Sequence, residues 1–214
     1  MKDNKIIEET IVHIEKLLNE VVNVNSKFKL YKYIIERTND NLNELNIAPG
    51  FFNLVLDSLI SNVIITIAKI YEPSNRSGGS ISKLINKIEQ SIKSIEDERI
   101  NIELIKKHRN EIEKSEDVIK NLFVWRDKQY AHYDKKYFLG ENNLSEDAKL
   151  TFGDIINLIE KAGAILNDYY SVLTDKYYSI EACNFDDVKK ILDMLKQYNY
   201  IRDEFIELNK NHRK

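Results

Sequence analysis

Six glycines and two prolines are all the backbone punctuation in this 214-residue chain, and that scarcity limits what it can fold into. Hairpins and tight strand connections lean on residues that accept positive φ or preset a turn. A sheet would have almost nothing to turn on here, whereas long helices need no such residues. The apolar pattern agrees. Ile7, Ile11, Ile14, Leu18 and Val21, then Phe28, Tyr31, Ile35, Leu42 and Leu45, recur at spacings of three, four and seven, which is one face of a helix. The polar cluster Asn23, Asn25, Ser26 interrupts this run, leaving either one long helix with a soft spot or two helices in line.

Pro49 suits the first turn of a second helix, and Phe51 to Tyr71 is apolar around most of its circumference, as befits the middle of a bundle. Glu72 to Gly79 is the clearest loop. Ser80 is placed to cap the helix that follows through Ile81, Leu84, Ile85, Ile88, Ile92 and Ile95. Arg76 in that loop is read as solvated in preference to anion-binding. A further helix from about Glu96 through Ile112 mixes Lys106, Lys107, His108 and Arg109 with Glu103, Glu111 and Glu113, the composition of a solvated face. Ser115 restarts a helix carrying Val118, Ile119, Leu122 and Phe123. Thr151 with Asp154 resembles a capping box ahead of Ile155 to Leu173, and a last helix opens near Asn184 and runs to Leu208.

About seven helices, no convincing strand and no repeat at solenoid period point to an all-α, up-and-down helical bundle. The expected organisation is one domain over 1–214, with an N-terminal helical arm (1–47), a bundle core (48–178) and a C-terminal helix (184–210). The net charge of −3 provides no global field to draw the protein onto nucleic acid or a membrane, so a nucleic-acid partner must meet a local patch. Asn53, Asp57, Asn62 and Lys69 interrupt the one segment that resembles a membrane span, so no membrane partner is expected. The charged N-terminal stretch lacks an apolar signal core and Cys183 is the sole cysteine, which places the expected location in the cytoplasm. Four scattered histidines and one cysteine form no metal motif, and no phosphate-binding glycine loop is present, so neither metal nor cofactor is expected.

The chemistry concentrates in Leu122 to Lys136, where Arg126 and His132 stand in an R-x5-H arrangement. If the helix continues through the motif, Ile119, Leu122, Phe123, Tyr130 and Tyr133 share a face with Arg126. A guanidinium on an apolar stripe is costly unless a carboxylate or phosphate meets it, so Arg126 is either an ion-pair partner within the fold or an anion-binding group. His132 lies among Lys128, Lys135 and Lys136, which disfavour the imidazolium and leave a neutral ring able to accept a proton. The alternative is a solvated surface histidine. On an ideal helix the two side chains are about 120° apart around the axis and about 9 Å apart along it. They converge only through the reach of Arg126, a bend after Ala131, or a second copy of the chain.

Arg126, the polar Asp127 and His132 resemble the R-polar-x4-to-6-H motif of HEPN domains. Trp-Arg-Asp-Lys-Gln-Tyr-Ala-His-Tyr-Asp-Lys, with the upstream Ile-Ala-Lys-Ile-Tyr-Glu-Pro and Ser-Ile-Ser-Lys-Leu-Ile, is similar to the AbiU-type abortive-infection branch. The resemblance implies a HEPN-like bundle and a metal-independent endoribonuclease of toxin or antiphage type, with RNA as partner and often a site shared across a homodimer. An antitoxin or other defence-system protein would be a further partner. His132 would act as general acid or base and Arg126 would stabilise the phosphorane, with Asp127 orienting the histidine or the arginine. Lys128, Tyr133, Lys135 and Lys136 would contact RNA. Members paired with a nucleotidyltransferase carry a tyrosine two residues after the histidine. Here that position is Asp134, so tyrosine modification is not carried over. A non-catalytic RNA- or nucleotide-binding relative and a purely protein-binding helical module are the competing readings.

Overall fold

The computed structural model describes residues 2–95, 97–131, 134–182 and 186–211. Among them there is no strand. Seven longer helices carry the architecture: α1 (Lys2–Glu36), α3 (Pro49–Ile70), α4 (Ile81–Gln90), α5 (Ile102–Glu113), α6 (Glu116–Trp125), α9 (Phe152–Thr174) and α10 (Asp186–Asn211). Three single-turn helices, α2 (Leu42–Leu45), α7 (Lys135–Phe138) and α8 (Leu144–Asp147), fill connections between them. The all-α bundle expected from the scarcity of Gly and Pro is the observed fold.

The chain divides into two compact units. The first comprises residues 1–25 and 61–181, the second residues 26–60 and 182–214, so the chain passes from one to the other within α1 and within α3. In the first unit, Ile14, Leu18 and Val21 of α1 and Val63, Ile64 and Ile67 of α3 are buried, as are Ile81, Leu84, Ile85 and Ile88 of α4. Leu122 of α6 and Ile165, Leu166 and Tyr169 of α9 are fully buried as well. Each burial removes apolar surface worth roughly 1.5–3 kcal/mol per large side chain. The second unit is smaller, with a core of Ile34, Leu45, Phe52, Val188 and Leu192. Leu30, Tyr33, Ala48, Leu56 and Leu195 pack around it. Asn199 donates from Nδ2 to the buried Glu44 carboxylate at 3.5 Å.

The caps follow the side chains that favour them. Ser80 accepts from the Lys83 backbone N–H at the start of α4. At α9, Thr151 and Asp154 form the full reciprocal capping box. Pro49 opens α3 as expected. Ser115 precedes α6 but makes no capping bond to the helix; its hydroxyl instead receives the Lys161 ammonium. Asp175 at φ 53° ends α9 in the left-handed region.

One of two open readings is selected and two expectations change. First, α1 is one continuous helix through Asn23–Ser26. Asn25 does not break it, because its side-chain amide donates 2.6 Å to the Ile180 carbonyl. The segment following α9 is held the same way by Asn167, which bonds both the N–H and the C=O of Tyr178 at 2.9 and 3.0 Å. Tyr178 adds a bond from its hydroxyl to Asn19. Second, α3 is long and apolar enough to cross a membrane by length and composition. Its apolar circumference is covered only in part, since Phe51 and Leu54 are exposed while residues from Val63 to Tyr71 are mostly buried. Third, the charged run on α5 is not wholly solvated. His108 is fully buried, with Nε2 2.9 Å from Asp168 of α9 and its ring edge-on to Tyr169 at 4.9 Å. A carboxylate can only accept, so Nε2 carries the proton.

Of the six glycines, Gly163 has the least room for a side chain. A methyl group added there would lie 2.6 Å from Ile180 Cδ1 and 3.2 Å from Cγ2. Because Asn25 pins the Ile180 carbonyl, the side chain has to give way rather than the backbone. Gly163→Ala is expected to cost about 1–3 kcal/mol in urea unfolding despite alanine's better helix propensity. A neutral or stabilising result would show that the Ile180 segment moves freely.

Candidate functional site

The motif begins where α6 stops being an α-helix. From Arg126 to Ala131 the backbone widens into a π-helical turn, and α7 starts four residues later. Two aromatics account for this change. Trp125 closes α6 and is tied down by its indole N–H, which donates to the Ala148 carbonyl at 2.7 Å. Tyr130 stacks on it with ring centroids 6.4 Å apart and planes 24° apart. On an α-helix, residues five apart point about 140° away from one another. An i→i+5 turn brings them over each other. Tyr130 therefore leaves the face it was expected to share with Arg126 and joins Trp125 instead.

Arg126 lies on the Phe123 ring, its guanidinium carbon 4.7 Å from the centroid. Nε donates to Asp127 Oδ1 at 2.7 Å, and Nη1 donates to Glu72 Oε2. The arginine side chain is 17% exposed and that of Glu72 14%, so the ion pair is largely screened from water. Asp127 first, and then Glu72, push the guanidinium pKa further up against the cost of burial. Among the described residues Nη2 makes no hydrogen bond. A guanidinium has five N–H groups, and the two used here fix its plane while the others remain for a second anion.

Glu72 was not recognised among the candidates, since no spacing rule links it to a residue 54 positions away. Its signal was the Tyr-Glu-Pro end of the Ile-Ala-Lys-Ile-Tyr-Glu-Pro segment. Tyr71, the preceding residue, is buried and donates from its hydroxyl to the Leu158 carbonyl of α9 at 2.7 Å, which anchors the chain just where Glu72 departs. Burial pushes the Tyr71 phenol pKa well up, so it stays a donor across the usable pH range. Tyr71→Phe is expected to cost about 1–2 kcal/mol in thermal or urea unfolding, because the Leu158 carbonyl loses a buried partner. Loss below a few tenths of a kcal/mol would show that this bond does not hold the end of α3.

The other motif residues divide into paired and free. Lys128 bonds Asp134 at 2.5 Å, and that pairing first, with the Lys136 backbone N–H, lowers the Asp134 pKa. Asp134 also caps α7. Lys135 and Lys136 are exposed and have no carboxylate partner among the described residues. His132 and Tyr133 lie outside the described residues. Between Arg126 and Lys136 the sequence holds four cations and two acids, and Glu72 brings a third carboxylate, so the patch is less basic than its own sequence suggests.

A groove of about 880 Å³ lies elsewhere, between α1 and the Gly78-Gly79 loop, lined by Lys5, His13, Lys16 and Lys87 but also by Glu8, Glu9 and Glu20. It includes no residue of the motif, and its charges of both signs favour no ligand class. Among the described residues no three acidic, histidine or cysteine side chains gather at metal-binding distance.

No curated protein and no solved structure matches the chain. The family model for AbiU2, a HEPN family, matches residues 7–191, a span that contains Glu72, the π-helical turn and the whole motif. That match covers most of the sequence in an all-α fold, and the chain belongs to the HEPN AbiU2 family.

Proposed function

We propose that this HEPN protein is a metal-independent endoribonuclease of the antiphage or toxin type, acting in the cytoplasm as a homodimer. The observation that carries the reading is the state of Arg126. Its guanidinium is oriented by Asp127, Glu72 and the Phe123 ring, and among the described residues Nη2 makes no hydrogen bond. A preset cation of this kind offers its free N–H groups to a phosphate without reorganising at the moment of reaction. In this mechanism His132 takes the proton from a ribose 2′-OH, whose oxygen attacks the adjacent phosphorus. Arg126 balances the charge gathering on the phosphorane oxygens, and the 5′-oxygen leaves as its bond to phosphorus breaks and takes a proton from water, yielding a 2′,3′-cyclic phosphate and a 5′-hydroxyl. DNA lacks the attacking hydroxyl, so the chemistry selects RNA. Lys135 and Lys136, exposed beside the motif, draw in the RNA backbone with salt-dependent affinity. Asp127 acts as a positioning residue on Arg126, and Lys128 is occupied by Asp134 until RNA competes for it. An antitoxin or another defence protein is the further partner this activity would require.

A second reading is favoured by the same ion pair. Two carboxylates already balance Arg126, which is the arrangement of a structural cation in a protein that binds RNA or nucleotide without cutting it. Incubation of the purified protein with RNA in EDTA separates the two. The nuclease reading expects cleavage that survives EDTA, leaves cyclic phosphate ends, and disappears in both Arg126→Ala and His132→Ala. Cleavage that persists in both variants, or stops on chelation, overturns it. Binding without cleavage by the folded wild type selects the second reading.

A further inference from the structure

α10 is apolar on two faces, and among the described residues only one of them is packed within its unit. Val188, Leu192 and, in part, Leu195 face the core of the second unit. On the other side Ile191, Met194, Tyr198, Ile201, Phe205 and Leu208 are all exposed, by 50–68%. Their spacing is three, four, three, four and three residues without exception. That is the seam of a heptad repeat, the pattern that winds two helices into a left-handed pair. From Tyr200 to Lys210 every residue of α10 is exposed. Packing among the described residues does not stabilise those turns, and a short isolated helix is only marginally stable in water.

We infer that the Ile191–Leu208 seam is an interface between two copies of this chain, joined as an α10–α10 coiled coil. A strict 3-4 alternation is matched by its own repeat, so the occupant that fits best is the same helix. Each of the six side chains is at least half exposed, so the seam offers a continuous apolar strip toward the roughly 800 Å² that a standard-size interface buries on each partner. The flanks are compatible with self-pairing. In a parallel pair Gln197 faces Arg202 and Glu204 faces Asn209 of the other copy, and no like charges are opposed. Tyr198 and Phe205 place aromatic side chains in the third and fifth of the six layers, and aromatics dominate the energetics of interface cores. This surface rests on α10 alone and shares with the ribonuclease reading only the homodimer.

Light scattering on the full-length protein tests it. The wild type is expected to be dimeric at tens of micromolar, and the double variant Ile201→Glu with Phe205→Glu is expected to be monomeric. Both positions are exposed, so far-UV circular dichroism should keep all but the last turns of α10. Cysteine cross-linking provides a second readout, with the wild type, which has Cys183 alone, as background. Ile201→Cys forms a disulfide-linked dimer in a parallel pair, and Tyr198→Cys combined with Ile201→Cys does so in an antiparallel one. Either result supports the seam and orients it. A monomeric wild type, or a dimer that survives the glutamate pair and yields no cross-link, overturns it. RNA cleavage is scored separately, so loss of dimer and loss of catalysis are distinguishable.

Discussion

Arg126→Ala is expected to reduce RNA cleavage by about 10²–10³-fold, the loss typical of removing one preorganised donor from a developing oxyanion, and to lower stability at the same time. The second effect follows from the geometry. Glu72 is 14% exposed and loses its cation, while Asp127, at 47% exposed, recovers water. An uncompensated, mostly buried carboxylate costs about 2–3 kcal/mol here, somewhat less than a fully buried pair. Glu72→Gln in the Arg126→Ala background removes the stranded charge and is expected to restore at least half of that loss without restoring cleavage. The double-mutant cycle therefore separates the two roles of Arg126. If cleavage per folded molecule is unchanged in Arg126→Ala, the arginine is a structural cation and the nuclease mechanism fails. Arg126→Lys tests the fork itself. An ammonium keeps the charge but cannot engage Asp127, Glu72 and a phosphate from one plane, so cleavage should stay well below wild type.

Asp168→Ala should produce the second large effect, about 2 kcal/mol of lost stability with no direct effect on the Arg126 cluster, in whose hydrogen bonds it takes no part. His108 is fully buried and its Nδ1 already has no partner in the described structure. Removing Asp168 leaves both ring nitrogens unsatisfied, and each buried orphan costs about 1–3 kcal/mol. Asp168 is 45% exposed and Lys107 also lies 3.4 Å from it, so water and that cation reduce what the carboxylate contributes. The check is a fall in urea midpoint at unchanged slope. Replacing both partners, with His108→Leu and Asp168→Ala, should return most of the loss, because an apolar pair leaves nothing unsatisfied. A loss under 0.5 kcal/mol in Asp168→Ala would mean that the imidazole rearranges to find water.

The contrast between His108 and Arg126 shows how far local pattern reaches. Both are basic residues on helices with apolar neighbours. Arg126 stands out because Ile119, Leu122 and Phe123 share its face, and the structure places it on the Phe123 ring. His108 sits among Lys106, Lys107 and Arg109, whose charges made the whole face read as solvated. Yet one position on a helix can turn inward while its neighbours turn out, and only the helix packed against it decides which. α10 shows the same limit. The spacing shows one helix running to Leu208, and the structure divides its apolar residues between a buried face and an exposed seam. Periodicity counts apolar residues along a helix without identifying what covers each of them.

What the sequence determined by itself was local. With so few Gly and Pro the backbone had no economical way to be anything but helical. The three-four spacing located the seven long helices, side-chain chemistry set the caps at Ser80 and Thr151, and the Arg126–His132 stretch with its upstream segment was enough to identify the HEPN AbiU family. The tertiary structure decided everything that depends on residues distant in the chain. It brought Glu72 to Arg126 across 54 positions, tied Trp125 to Ala148 so that the helix widened under the motif, pinned Asn25 to Ile180 and buried His108 on Asp168. The physical reason is the range of the forces. Backbone sterics and helical hydrogen bonding act within a few residues and leave their mark in the local pattern. Whether a buried charge is paired, and by what, depends on which surfaces meet once the helices have packed, and no spacing along the chain records that.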